Sequence, residues 1–149
     1  IRDRPNVISS LLQRVPWQGI GISNVYTANS ALAARDVLFS KQVDILLADI
    51  EMPQENGLSL VRWIRSKGLE IECILLTSHA NFYYAQIAIS LEICDYVIQP
   101  AATEDIVRSI EKAKDKVFQK RQVNQKIHFQ GFLSSTQNSM LCHFFETLQ

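Results

Sequence analysis

The chain has 149 residues and a formal net charge of zero, so its charge gives no reason to expect nucleic-acid or membrane binding. Hydrophobic residues make up 47% of the sequence, which excludes a disordered chain, and no apolar stretch is long enough to span a membrane. With no signal peptide and three scattered cysteines, Cys73, Cys94 and Cys142, a cytoplasmic protein with reduced thiols is expected.

Three elements are predicted before residue 40. They are a helix with one apolar face, a strand, and a second helix capped by Asn29 or Ser30. Their predicted spans are 1–15, 20–26 and 30–39. The apolar side of the second helix is formed by Leu32, Ala33, Val37 and Leu38.

The next strand, 43–48, holds four successive apolar residues and is followed by Asp49. A continuous apolar run is typical of a strand buried on both faces, as in a parallel sheet. The carboxyl ends of such strands are where α/β folds place their chemistry. On its own, Asp49 would by default be interpreted as a loop carboxylate that caps the following turn.

Helices and strands continue to alternate up to residue 103. The predicted elements are a helix from Gly57 to Gly68, a strand over 71–76, a helix over 81–91, a strand over 96–98, and a helix capped by Thr103. Parallel strands need helical crossovers of this kind. The pattern therefore predicts an α/β fold with helices on both faces of a parallel sheet.

The helix after Thr103 continues well beyond the length that one domain requires. Apolar and polar positions recur in heptad steps, which favours self-association through this helix, although a single solvated helix is the alternative. The seam positions are Ile110, Ala113, Val117, Lys120, Asn124 and Ile127. A later amphipathic stripe is predicted as helical turns that need a partner surface: Met140, Leu141, Phe144, Phe145 and Leu148.

Polar residues follow three of the predicted strands at their carboxyl ends: Asp49, Thr77 and Gln99. In a parallel sheet these ends lie along one edge, so the three side chains can converge. A carboxylate can accept a phosphoryl group when nearby cations and donors neutralise the charge.

The segment 49–57, Asp-Ile-Glu-Met-Pro-Gln-Glu-Asn-Gly, resembles the phosphoacceptor loop of response regulator receiver domains, Asp-x-x-Met-Pro-x-x-Asp-Gly. Thr77-Ser78 matches the hydroxyl position of that family, and 95–100 is similar to its Asp-Tyr-hydrophobic-hydrophobic-Lys-Pro ending. The segment 82–86, together with Trp17 and the long last helix, is similar to the AraC-type branch. The resemblance covers residues 1 to about 118.

This resemblance implies a flavodoxin-like (CheY-like) doubly wound parallel sheet with strand order 2-1-3-4-5 in the family's count. Its first strand, which carries a Mg²⁺-binding acidic pair, is expected to be absent from this chain. Residues 1–118 would form the receiver domain, and 119–149 would be a helical linker toward a DNA-binding output domain. DNA would be bound only through that output domain, and no membrane would be involved.

The resemblance also implies a mechanism that involves five side chains. Asp49 would be phosphorylated by a sensor histidine kinase, with Mg²⁺ held by Asp49 and the backbone carbonyl of Glu51. Thr77 would bind the phosphoryl group, Tyr96 would move inward behind it, and Gln99 would precede a cis peptide bond to Pro100. The switch would act on homodimerisation, either through the last helix or through the face formed near residues 81–91, 96–98 and 103–118.

Gln99 departs from the family pattern because it stands where a lysine is expected, and an amide supplies no positive charge. The alternative function is therefore a pseudo-receiver, an interaction and dimerisation module that works without phosphate. An enzyme is not expected, since the sequence shows no glycine-rich phosphate loop and no second catalytic carboxylate beside Asp49. His79 follows a strand and could line the site, or it could be an ordinary surface histidine.

Overall fold

The computed structural model describes residues 7–51, 55–128 and 138–143. Within these ranges the helices are Val7–Arg14 (α1), Ala31–Ser40 (α2), Gly57–Ser66 (α3), Phe82–Ser90 (α4) and Thr103–His128 (α5). The strands are Ile22–Ala28 (β1), Ile45–Asp49 (β2), Glu72–Thr77 (β3), Asp95–Ile98 (β4) and Asn138–His143 (β5).

The strands form one parallel sheet in the order β1-β5-β2-β3-β4. The expected α/β class is therefore confirmed. The last strand in the chain, β5, lies between β1 and β2, in the central place that the family order assigns to its first strand. The register on its β2 side pairs Leu46 with Leu141.

The prediction of helical turns around Met140 and Leu141 is wrong, because both residues belong to β5. Both side chains are fully buried, and each packs into the core on a different face of the sheet. The gap between β1 and β2 offers unpaired backbone groups on both sides, which a strand can satisfy and a helix cannot. Phe144, Phe145 and Leu148 lie outside the described residues. The division of the chain at residue 118 stays a prediction.

The sheet separates two hydrophobic cores. Alternate residues of β2 and β3 point to opposite faces, as strand geometry requires. Leu46 and Leu75 pack with α2, α3 and α4, whereas Leu47 and Leu76 pack with α1 and α5. The continuous apolar runs seen in the sequence thus reflect strands covered on both sides, in agreement with the prediction.

The first half of the predicted heptad seam of α5 packs against the sheet of the same domain. Ile110, Ala113 and Val117 are buried against the sheet, so they are not available to a second helix in this conformation. Farther along, Lys120 Nζ lies 2.6 Å from Glu72 Oε2. Arg121 Nη2 lies 2.9 Å from Asp44 Oδ1, and these two ion pairs tie the helix to the amino-terminal edge of the sheet.

Several local predictions can be compared with the structure directly. Ser30, one of the two predicted caps of α2, accepts the Ala33 N–H, and Asn81 caps α4 by accepting two backbone N–H groups. Thr103 does not act as a cap, because it is the first helical residue and its hydroxyl accepts a hydrogen bond from Arg14. Leu32, predicted on the apolar side of α2, is 70% exposed.

The first strand begins two residues later than predicted, since Gln18–Ile20 forms a turn of 3₁₀ helix. Cys73 and Cys94 are buried free thiols, as expected, and burial raises the pKa of Cys73 to about 12. Of the helices in the described residues, none combines the length and apolarity needed to cross a membrane.

Candidate functional site at the carboxyl edge of the sheet

The structure brings the ends of three neighbouring strands together, as the sequence predicts. Asp49 ends β2, Thr77 ends β3, and Gln99 directly follows β4. The Ile50 N–H donates to the Leu76 carbonyl oxygen at 2.8 Å, and the Gln99 N–H donates to the Thr77 carbonyl oxygen at 2.7 Å. Backbone hydrogen bonds therefore continue the sheet pairing up to the site and fix the spacing of its residues.

Asp49 is partly buried at the end of β2 and has a perturbed carboxyl group. Its Oδ1 accepts a hydrogen bond of 3.0 Å from the Glu51 N–H. Burial raises the pKa of Asp49 from 3.8 to about 7, and the negative charge of Glu51 contributes to the same rise. A raised pKa means that the surroundings poorly neutralise the negative charge of the carboxylate, so a cation would stabilise it.

Gly57 lies directly behind Asp49 at the start of α3. A Cβ atom at this position would stand 2.5 Å from the Asp49 carbonyl oxygen, which is closer than atoms of this kind can approach. The Gly57 N–H also donates to the Ile50 carbonyl oxygen at 3.1 Å. Asn56 caps the helix by accepting from the Ser59 N–H. The glycine is therefore required here by a close backbone approach.

The Glu51 side chain, which the sequence analysis did not single out, joins the site. Its carboxylate accepts hydrogen bonds from the Thr77 hydroxyl and from the Ser78 N–H, the latter at 3.0 Å. His79 Nδ1 lies 3.5 Å from the same carboxylate, although its side chain is 72% exposed. Burial alone would raise the pKa of Glu51, but the hydrogen bonds from Thr77 and Ser78 outweigh it and lower the pKa.

Thr77 is fully buried, and its hydroxyl also accepts a hydrogen bond of 3.1 Å from the His79 N–H. The sequence signal for Glu51 was its place two residues after Asp49, on the same loop. From this position the Glu51 side chain reaches the end of β3.

Tyr96 and Gln99 lie on the side of Thr77 that is opposite Asp49. Tyr96 pairs in register with Leu75 and packs partly buried against the core beneath α4. Its hydroxyl is buried and makes no well-formed hydrogen bond among the described residues, although the Asn81 backbone is close enough to interact with it. The peptide bond between Gln99 and Pro100 is cis, as the resemblance implies.

Asp49 and Glu51 are the residues at this edge that could offer oxygen ligands to a metal ion. Asp49 and Glu51 bring two adjacent carboxylates, and Mg²⁺ prefers oxygen ligands of this kind, often with only one or two protein carboxylates. The raised pKa of Asp49 indicates that its ionised carboxylate is unfavourable in this site, and a bound cation would neutralise that negative charge. In the described part of the chain, no group of three or more His, Cys, Asp or Glu side chains is arranged to hold a metal.

A protein-family model and several known proteins are similar to this chain in sequence. The model of the response regulator receiver domain matches residues 2–111. An uncharacterized response regulatory protein of Staphylococcus epidermidis is 32% identical over 98 residues, which are 66% of this chain and 38% of that protein. The transcriptional regulatory protein HptR of Staphylococcus aureus is 29% identical over the same share of each chain. This chain thus spans about two-fifths of the length of these relatives.

Solved structures agree with the fold. The receiver domain of AraT, a response regulator from Geobacillus stearothermophilus, matches with a TM-score of 0.68 and 28% identity, covering 78% of this chain and 92% of that one. A CheY-like receiver domain protein from Methanospirillum hungatei matches with a TM-score of 0.69, at 18% identity, over 76% and 89% of the two chains. From the family model, the relatives and the strand-end geometry together, we conclude that this chain belongs to the response regulator receiver domain family.

Proposed function

We propose that this chain is the phosphoacceptor receiver domain of a two-component transcription regulator, phosphorylated on Asp49 by a sensor histidine kinase. The observation that carries the proposal is the position of Asp49. It ends a buried strand beside a hydroxyl donor, Thr77, and a backbone N–H donor, Ser78. We propose a signalling role for this site and no enzymatic activity of its own toward a small-molecule substrate.

In the proposed reaction, a carboxylate oxygen of Asp49 attacks the phosphorus atom of a phosphohistidine. The new O–P bond forms as the N–P bond breaks, and the histidine nitrogen leaves. The ionised form of Asp49 is the nucleophile. The buried Thr77 hydroxyl ends the adjacent strand β3 and the Ser78 N–H directly follows it, where both can donate to the transferred phosphoryl oxygens.

Mg²⁺ is the proposed cofactor of this reaction. Asp49 and the carbonyl of Glu51 would hold it, with the Glu51 carboxylate nearby. The ion supplies positive charge against the phosphoryl oxygens and the acceptor carboxylate. This charge is more important here than in relatives with a lysine, since Gln99 contributes a neutral amide.

The proposed output is a shift between two packings of the domain. The Thr77 hydroxyl would turn toward the phosphoryl group, and Tyr96 would follow it inward. The buried hydroxyl of Tyr96 supports this proposal, because it makes no well-formed hydrogen bond and would gain from finding a better partner.

The surface that would respond lies on α4, β4 and α5. Large apolar side chains are exposed there, and we propose that they form the homodimer contact in place of the heptad seam, whose first half is buried. The exposed side chains are Phe82, Tyr83, Ile89 and Ile98. The AraC-type output domain, DNA binding through it and a cytoplasmic location are part of the same proposal.

The test is a titration with Mg²⁺ and beryllofluoride, followed by amide NMR shifts at Thr77, Ser78 and Tyr96. We expect saturable shifts in the natural chain and none in Asp49→Asn. Gln99→Lys should raise the affinity for beryllofluoride, because it adds a positive charge to the site. If the natural chain and Asp49→Asn respond alike, the site does not accept phosphate, and the pseudo-receiver alternative takes its place.

A further inference from the structure

The carboxylate of Glu51 is held by three groups that face one point above the strand ends. The Thr77 hydroxyl donates to one oxygen, and the Ser78 N–H donates to the other at 3.0 Å. The imidazole of His79 stands 3.5 Å away. A hydroxyl, a backbone amide and an imidazole around one anion form a set of donors that suits a tetrahedral oxyanion as well as a carboxylate.

Two of these groups, the Thr77 hydroxyl and the Ser78 N–H, are the donors that the proposed function assigns to the phosphoryl group on Asp49. The Glu51 backbone is also fixed to that residue, since its N–H donates to Asp49 Oδ1 at 3.0 Å. The Glu51 carboxylate contacts both the acceptor carboxylate of Asp49 and the two donors at the end of β3. A phosphoryl group and an ionised carboxylate cannot share these donors, because like charges at such distances repel strongly.

We propose that the Glu51 carboxylate occupies the phosphoryl site of the unphosphorylated domain. It must be displaced before Thr77 and Ser78 can bind phosphate. This inference rests on the proposed function and adds a regulatory element to it. Glu51 makes phosphorylation compete with an intramolecular contact. It also holds Thr77 by a hydrogen bond in the resting state, so the switch begins only when Glu51 moves away.

Glu55 supplies a matched control. It is a carboxylate on the same loop with a similar side-chain exposure, 31% against 29% for Glu51. Its partner is Arg35 on α2, away from Thr77 and Ser78. Removing Glu55 changes the charge of the loop equally but leaves the donors of β3 engaged.

The experiment titrates the full chain and its Glu51→Ala, Glu51→Gln and Glu55→Ala variants with beryllofluoride in Mg²⁺, followed by the Ser78 amide shift. Glu51→Ala should bind about tenfold more tightly than the natural chain, the gain expected when one charge-assisted hydrogen bond no longer competes. Glu51→Gln should fall between the two, because it keeps an acceptor oxygen and loses the charge. Glu55→Ala should match the natural chain.

A second titration with inorganic sulfate, without Mg²⁺, separates the two proposals. Sulfate should shift the Ser78 amide in Glu51→Ala and leave the natural chain unchanged. If beryllofluoride binds to no variant, the proposed function fails, whereas the sulfate result still tests the Glu51 contact. Equal beryllofluoride affinity in the natural chain and Glu51→Ala overturns the inference, as does an equal sulfate response.

Discussion

Strands β2 and β5 lie side by side at the centre of the sheet, but they are specified in different ways. β2 has four consecutive buried apolar residues, and its pattern alone indicates a strand covered on both faces. β5 has the sequence Asn-Ser-Met-Leu-Cys-His, whose short apolar part is compatible with a helix or a strand. The strand conformation of β2 is determined by its own residues. That of β5 is determined by its pairing partners, because it fills the gap between β1 and β2.

The largest effect should come from placing a charge in that gap. Leu141→Asp would bury an unpaired carboxylate at a position with 0% exposure, between β1 and β2. We expect the variant to be unfolded at 25 °C by circular dichroism and thermal melting. Leu32→Asp, at a site that is 70% exposed, is the control and should melt within a few degrees of the natural chain. A folded Leu141→Asp variant would show that β5 is dispensable.

A milder pair of changes compares the two strands directly. Leu46 and Leu141 face each other in register, and both are fully buried. Truncation of either to alanine should cost about 2–5 kcal/mol in the free energy of unfolding, measured by urea denaturation. The double variant should deviate from additivity, since the two side chains share one core. A cost for Leu141→Ala well below that for Leu46→Ala would mean that β5 is bound more loosely than β2.

Gly57→Ala tests the carboxyl end of β2 itself. The added methyl group would meet the Asp49 carbonyl oxygen at 2.5 Å, so either α3 or the strand end must shift. We expect a loss of about 1–3 kcal/mol in the free energy of unfolding, together with weaker beryllofluoride binding. Gly68→Ala is a useful comparison, because there a Cβ meets nothing within 4 Å and only the positive φ of 72° is unfavourable. Gly68→Ala should leave beryllofluoride binding unchanged.

Asp49→Asn should stabilise the domain in metal-free buffer above pH 7. The folded state holds the Asp49 proton up to a pKa of about 7, against 3.8 in the unfolded chain, so this residue makes stability fall as pH rises from 4 to 7. Removing the charge should gain about 1–2 kcal/mol at pH 8, after allowance for solvent screening of a partly exposed group. Below pH 4 the gain should vanish.

Chelator-treated samples melted at pH 4 and pH 8 provide the measurement. A gain of the same size at both pH values would contradict a raised pKa for Asp49. Added Mg²⁺ should reduce the difference at pH 8, because a bound cation stabilises the natural carboxylate and has no charge to pair with in the amide.

The sequence was sufficient wherever a residue's neighbours along the chain decide its structure. The apolar runs of β2 and β3, the cap Ser30, and the strand-end positions of Asp49 and Thr77 all follow from local patterns. These features define most of the sheet and the acceptor side of the site.

The remaining features depend on contacts between distant parts of the chain. β5 pairs with strands that precede it by about a hundred residues, and no local pattern of Met140 and Leu141 indicates that pairing. The apparent heptad seam of α5 is the face that covers the sheet, because Ile110 and Val117 follow the same spacing for either partner. The contact of Glu51 with Thr77 required knowing how the loop after Asp49 turns.

The position of β5 also matters while the protein is being made. Among the described elements β5 is synthesised last, and His143 at its end lies 94 positions after Asp49 at the end of β2. At about 5–20 residues per second, about 5–19 s would pass between the completion of β2 and that of β5. During that interval the edges of β1 and β2 that pair with β5 lack this partner, and unpaired strand edges favour association with other chains.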